Sequence, residues 1–178
     1  MVLDIKGKNF FEFFSLQESF EIDAAKLENE YKQLQALSHP DKFSDADDVT
    51  RLQAVQLSSI INQAYDTLKS PLKRAAYLLG LQGTDPEEHN QGHLSESLLL
   101  QQMDWRDQLE TATEDEDLTI LDKLKQDAKT EQDTGFEEFK SALQGQDYVA
   151  AKSAYHKLQF IEKFMHEINR SEEKILDY

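Results

Sequence analysis

The fold is decided by Tyr31-Lys32-Gln33-Leu34-Gln35-Ala36-Leu37-Ser38-His39-Pro40-Asp41-Lys42-Phe43 and the residues on either side of it. Upstream, Ala24, Leu27, Tyr31 and Leu34 recur at three- and four-residue spacing, and Leu37 extends the stripe. That spacing predicts an amphipathic helix from Ile22 to Ser38 with Asp23 as its N-cap. Pro40 ends it, because the residue before a proline resists the α region. After the polar run Asp45-Ala46-Asp47-Asp48, a second stripe of Ala54, Leu57, Ile61, Ala64 and Leu68 predicts a helix from Asp47 or Asp48 to about Lys69, with Tyr65 beside the stripe and Pro71 beyond its end. Two amphipathic helices joined by a proline-containing loop pack antiparallel, each burying its stripe on the other.

Toward the N-terminus, Phe10, Phe11, Phe13, Phe14 and Leu16 form a short aromatic segment, predicted to be a helical turn that packs onto the hairpin. Toward the C-terminus, Leu72 to Leu81 reads as a short, very apolar helix or turn. Gly80, Gly83, Pro86 and Gly92 then punctuate an otherwise polar stretch, the best linker in the chain. Three further helical patterns follow, at roughly 94–112, 117–144 and 147–176, with an acidic connection at Thr113 to Asp117 and a turn at Gln144-Gly145-Gln146. The middle stripe is Leu121, Leu124, Ala128, Gly135, Phe139 and Leu143; the last is Ala151, Leu158, Ile161, Met165, Ile168 and Ile175. Long helices with short loops predict an antiparallel three-helix bundle. Gly135, in mid-helix, costs roughly 1 kcal/mol relative to Ala; it either allows a close helix approach or is simply tolerated there. The expected organisation is all-α, with a helical-hairpin domain at 1–79, a linker at 80–93 and the bundle at 94–178.

Composition agrees and excludes other classes. Only 6 Gly and 3 Pro occur in 178 residues, too little turn punctuation for a sandwich or barrel. The formal charge of −16 makes nucleic acid and anionic membrane poor partners. With no cysteine, disulfides, thiolate metal sites and cysteine nucleophiles are excluded. No apolar run approaches the roughly 20 residues needed to span a bilayer, and the first residues lack signal-peptide or transit-peptide character. The expected compartment is the bacterial cytoplasm. His89 and His93 fall in the linker, and His156 and His166 point different ways on one helix, so all four read as surface or packing residues and no resident metal or cofactor is expected.

His39-Pro40-Asp41 carries chemistry because of where it sits. Pro40 fixes its own φ and stiffens the loop, which then presents His39 and Asp41 outward. Asp41 can accept a charge-assisted hydrogen bond from a partner arginine, and His39 can donate, accept or cap its own helix. With the aromatic first segment, Tyr31-Lys32, Leu34, His39-Pro40-Asp41-Lys42-Phe43 and Ile61-Asn62-Gln63-Ala64-Tyr65-Asp66-Thr67-Leu68, residues 8–75 resemble the J-domain family of co-chaperones. The resemblance implies docking on a DnaK-type chaperone and stimulation of its ATPase, with His39, Pro40, Asp41, Lys42, Lys32 and Lys26 as the contact residues. Two features depart from the usual pattern. Ser38 stands where an aromatic is common, and Lys26, Lys32 and Lys42 are opposed by Glu28 and Glu30, so electrostatic steering is modest.

The second half narrows the resemblance. Pro71-Leu72-Lys73-Arg74-Ala75-Ala76-Tyr77-Leu78-Leu79, the acidic bundle, Leu158-Gln159-Phe160-Ile161-Glu162-Lys163 and Glu172-Glu173-Lys174-Ile175-Leu176 are similar to the HscB family of iron–sulfur cluster biogenesis. On a helix advancing about 100° per residue, Leu98, Gln102, Trp105 and Leu109 share the core face. Leu99, Leu100 and Met103 fall elsewhere, bordered by Asp104 and Asp107. In the last helix Phe160 lies nearly opposite Leu158, and Phe164 is also off the stripe. An apolar surface rimmed by acid is the signature of a partner site. The resemblance implies capture of an iron–sulfur scaffold protein (IscU-like) on Leu99, Leu100, Met103, Asp104, Asp107 and Phe160, for delivery to an HscA-like chaperone. Thr111 stands where a further acid is expected, with Glu110 beside it. The protein is then an activator of a partner's ATPase and no enzyme itself. The alternatives are a J-domain adaptor for another client and, far behind, a small acidic enzyme or metal protein.

Overall fold

The computed structural model describes residues 7–43, 46–87 and 96–176. Among these it contains seven α-helices and no strand: α1 (Phe10–Phe13), α2 (Ala24–Ser38), α3 (Asp48–Lys69), α4 (Pro71–Leu81), α5 (Glu96–Glu114), α6 (Leu118–Gln144) and α7 (Tyr148–Leu176). The chain divides into two compact units, Met1–Leu78 and Leu79–Tyr178. The division falls inside α4, which continues through Gly80.

In the first unit, helix entries follow from acidic and amide caps. Asp23 accepts the Lys26 amide at 3.0 Å and Asp47 accepts that of Thr50 at 2.9 Å. Asn9 and Glu12 close a capping box at α1. The α3 stripe Ala54, Leu57, Ile61, Ala64 and Leu68 is buried as read. The α2 stripe is not: Leu37 is 58% exposed, and Ser38, 1% exposed, takes the inward position. Leu27, Tyr31, Leu34 and Ser38 keep the helical period, which Leu37 leaves by most of a right angle. The buried Ser38 hydroxyl donates to Leu34 O at 2.9 Å, so a small residue with an internal partner closes the base of the hairpin. Tyr31 stacks on Tyr65 with ring centroids 3.9 Å apart, and its hydroxyl donates to Asn62 Oδ1 at 3.0 Å. Phe11 and Phe14 are fully buried, whereas Phe10 is half-buried and stacks on Tyr77.

Helix ends share one device. Ser15, Gly83, Glu116 and Gln146 have φ of 51°, 74°, 53° and 56°. The next residue's amide reaches back five positions in each case: Leu16 to Phe11 O, Thr84 to Leu79 O, Asp117 to Ala112 O and Asp147 to Ala142 O. In the two bundle turns that next residue is an aspartate, which caps the following helix: Asp117 accepts the amides of Thr119 and Ile120, and Asp147 that of Ala150.

The second unit is the expected bundle. Trp105, Leu109 and Ala112 of α5, Leu121, Leu124 and Ala128 of α6, and Ile161, Phe164 and Ile168 of α7 form one buried cluster. A Cβ on Gly135 would lie 2.9 Å from Leu158 Cδ2, so this glycine permits the close approach of α6 and α7. Residues 82–87, read as linker, are tied to α7. Tyr148 donates to Gln82 Oε1 at 3.1 Å, Tyr155 to Glu87 Oε1 at 2.9 Å, and His156 Nε2 lies 2.9 Å from Pro86 O. Burial, followed by the Glu87 hydrogen bond and charge, pushes the Tyr155 phenol well above its usual range. His156 is thus a packing residue and His166 an exposed one. Ser44, Asp45, His89, His93, the other linker positions from 88 to 93 and the expected start of the first bundle helix at Leu94 lie outside the described residues.

Candidate functional site

The first site is the turn after α2. His39 holds the C-cap position with φ −58° and ψ 125°, the extended conformation that a following proline imposes. Pro40–Phe43 then form a single 3-10 turn, closed by the Lys42 amide on His39 O at 3.0 Å. The Asp41 amide donates to His39 Nδ1 at 3.3 Å. His39 Nδ1 also lies 3.6 Å from Asp41 Oδ2. The imidazole is held by the backbone of its own motif, with its side chain half exposed, while the Asp41 carboxylate is 90% exposed. The geometry offers one oriented imidazole beside one open acceptor.

The lysines divide. Lys42 is exposed in the turn itself. Lys32 lies two helical turns before His39 on the same face and pairs with Glu28 at 2.6 Å. The Lys32 hydrogen bond, then its charge, holds the Glu28 carboxyl below the usual range, and Glu28 raises Lys32 in the same way. Lys26 points about 120° away from Lys32, roughly 20 Å along the axis from His39, and donates to Ser15 O. Lys42 thus sits in the turn, Lys32 shares the His39 face about 10 Å back along α2 and is paired with Glu28, and Lys26 lies on another face. Sequence reasoning missed Val49 and Leu52, both exposed at the start of α3, and put the exposed Leu37 into the core. Their signal was hydrophobic residues out of register with the α2 and α3 stripes.

The second site is the outer face of α5. Leu99, Leu100 and Met103 are 46%, 60% and 64% exposed, opposite the buried Leu98, Trp105 and Leu109. Asp104 and Asp107 are exposed beside them, as is Glu110. Asp104 Oδ2 accepts from Gln108 at 2.7 Å, which fixes its direction. The Thr111 hydroxyl donates to Asp107 O at 3.0 Å and so turns back on its own helix.

Phe160 and Phe164 part company. Phe164 is 1% exposed and stacks on Trp105 with centroids 5.0 Å apart, so it belongs to the core and not to a surplus face. The reason is that α7 packs against both α6 and α5 and needs two apolar faces, which a single-stripe reading cannot supply. Phe160 is half-buried at the edge of the same stack, 6.2 Å from Trp105 and 5.8 Å from Phe164. The Arg106 guanidinium lies 6.0 Å from its ring centroid, a contact that sequence reasoning did not name.

Comparison with known proteins follows this geometry. Residues 94–169 match the family model described as the HSCB C-terminal oligomerisation domain. The chain is 38% identical over 160 residues to the co-chaperone protein HscB homolog of Neisseria meningitidis serogroup A, covering 90% of this chain and 96% of that one. The structure of chaperone HscB from Vibrio cholerae superposes with a TM-score of 0.85 at 36% identity, covering 94% of this chain and 99% of that chain. Human co-chaperone protein HscB does so with a TM-score of 0.87 at 28% identity, covering 93% and 82%. The all-α fold and these relatives make the chain a J-type co-chaperone. The chain belongs to the HscB family, the J-type co-chaperones of iron–sulfur cluster biogenesis.

Proposed function

We propose that this co-chaperone is a two-part adaptor. The first unit stimulates the ATPase of a DnaK-type, HscA-like chaperone through His39, Pro40, Asp41, Lys42 and Lys32. The second unit holds an IscU-like iron–sulfur scaffold protein on Leu99, Leu100, Met103, Asp104, Asp107 and Phe160. Linking the two raises the scaffold's effective concentration at the chaperone and couples its capture to ATP hydrolysis. The chain performs no covalent chemistry: His39 and Asp41 bias the partner's conformational equilibrium. The bacterial cytoplasm, where chaperone, scaffold and ATP meet, is the compartment this function requires.

The observation that carries the client half is the exposure of Leu99, Leu100 and Met103 on a helix whose opposite face is already buried in the bundle. Such a patch, rimmed by carboxylates, fits a partner with an apolar centre and a basic rim. Titration calorimetry with the scaffold protein tests it. Changing Leu99, Leu100 and Phe160 together to Ala raises Kd about 100-fold or more, and unchanged affinity would overturn the assignment.

A further inference from the structure

An open groove of about 910 Å3 lies along the first half of α5, lined also by Glu138 of α6 and the start of α7. Its cause is in the sequence of α7. Phe160 and Phe164 pack under Trp105, but Ala150, Ser153 and Ala154, up to four turns earlier, are too small to fill the equivalent space under Leu98. Leu98, Trp105 and Ala154 give the groove an apolar base.

Its walls are charged. Asp104 comes from α5, Glu138 from α6 and Lys157 from α7. The Lys157 ammonium is already matched, with Nζ 3.0 Å from Glu131 and 3.3 Å from Glu138. Burial works against that charge, and the two glutamates outweigh it, so Lys157 remains raised above its usual range. The lining carries two carboxylates, Asp104 and Glu138, against the one ammonium of Lys157, which Glu131 also neutralises from outside the groove, so the groove is acidic. Leu100 and Asp104 line the groove and also belong to the exposed face, so the two surfaces are continuous.

We infer that the groove is a second subsite of the client interface, taking a basic amphipathic element of the scaffold protein. This rests on the client face proposed above. A Lys or Arg stem lies on Leu98, Trp105 and Ala154, as long cationic side chains do on apolar surface, with its charge directed to Asp104 and Glu138. A second copy of this chain is a poor occupant, because a chain of net charge −16 meets an acidic groove with repulsion.

Ala150 lines the groove and is exposed, so Ala150→Phe fills the space from outside the core. Calorimetry of this full-length variant with the scaffold protein should show Kd raised about tenfold, with its helical circular dichroism unchanged. Glu138→Gln should weaken binding about threefold and flatten its salt dependence. A measurable loss from Leu99→Ala with Leu100→Ala, but none from Ala150→Phe, overturns the groove and leaves the client face standing. Normal binding by the Leu99, Leu100 pair overturns both. Ala150→Phe changing only the protein's own sedimentation marks the occupant as a second copy, and also overturns the inference.

Discussion

The His39 turn and the α5 face solve the same task, presenting side chains to another protein, by opposite means. The turn is polar, and its order comes from inside the motif: a proline-imposed backbone, the Lys42 amide on His39 O and the Asp41 amide on His39 Nδ1. Little beyond the loop is needed to shape it. The α5 face is apolar, and nothing within Leu99, Leu100 and Met103 orders it. Its order is borrowed from the opposite side of the helix, where Trp105 stacks on Phe164. A polar site can therefore be local in sequence, whereas an apolar one depends on residues 60 positions away.

The largest expected effect breaks that dependence. Phe164→Ala should destabilise the bundle by about 4 kcal/mol in denaturant titration, the cost of emptying a buried aromatic position. Phe160→Ala, at the half-buried edge of the same stack, should cost about 1 kcal/mol in stability while weakening scaffold binding about tenfold. Equal stability losses for the two would erase the distinction drawn between them. The smallest effect concerns the α6–α7 contact. Gly135→Ala gains helix propensity but drives a methyl into Leu158, and the overpacking should win by about 1 kcal/mol, measured as a fall in the unfolding midpoint.

Legibility in the sequence followed the same division. The α3 stripe could be read in full, because α3 buries a single face and its five core residues keep one period. The His39 turn was legible because its order is local. Lys26 and Lys32 were grouped although their six-residue spacing on the predicted helix already puts them about 120° apart in angle; what the sequence did not show is that Lys26 donates to Ser15 O. The α2 stripe was misjudged at both ends: Ala24 is exposed, and although a leucine outranks a serine by hydrophobicity, the period favours Ser38, whose hydroxyl finds Leu34 O. Phe164 was misassigned because α7 serves two neighbours. The segment at α4 was read through Gly80 to Leu81, where the helix ends, with Gly83 taking the positive φ beyond it; Ser15, Glu116 and Gln146 do the same work elsewhere without a glycine to announce it. The exposed face on α5 was legible as surplus hydrophobicity; the groove beside it was not, since it arises from small residues on α7 that look like ordinary helix formers.

The central claim, that the His39 turn is the output of the adaptor, is tested most directly by steady-state ATP hydrolysis of the HscA-like chaperone. The assay is run with the wild-type protein and with His39→Gln, each with and without the scaffold protein. Because the His39 side chain is half exposed, the variant should keep its fold and its affinity for the scaffold. The expected result is stimulation by the wild type, increased further by the scaffold, and essentially none by His39→Gln under either condition. Equal stimulation by wild type and variant, or none by the wild type, would contradict it.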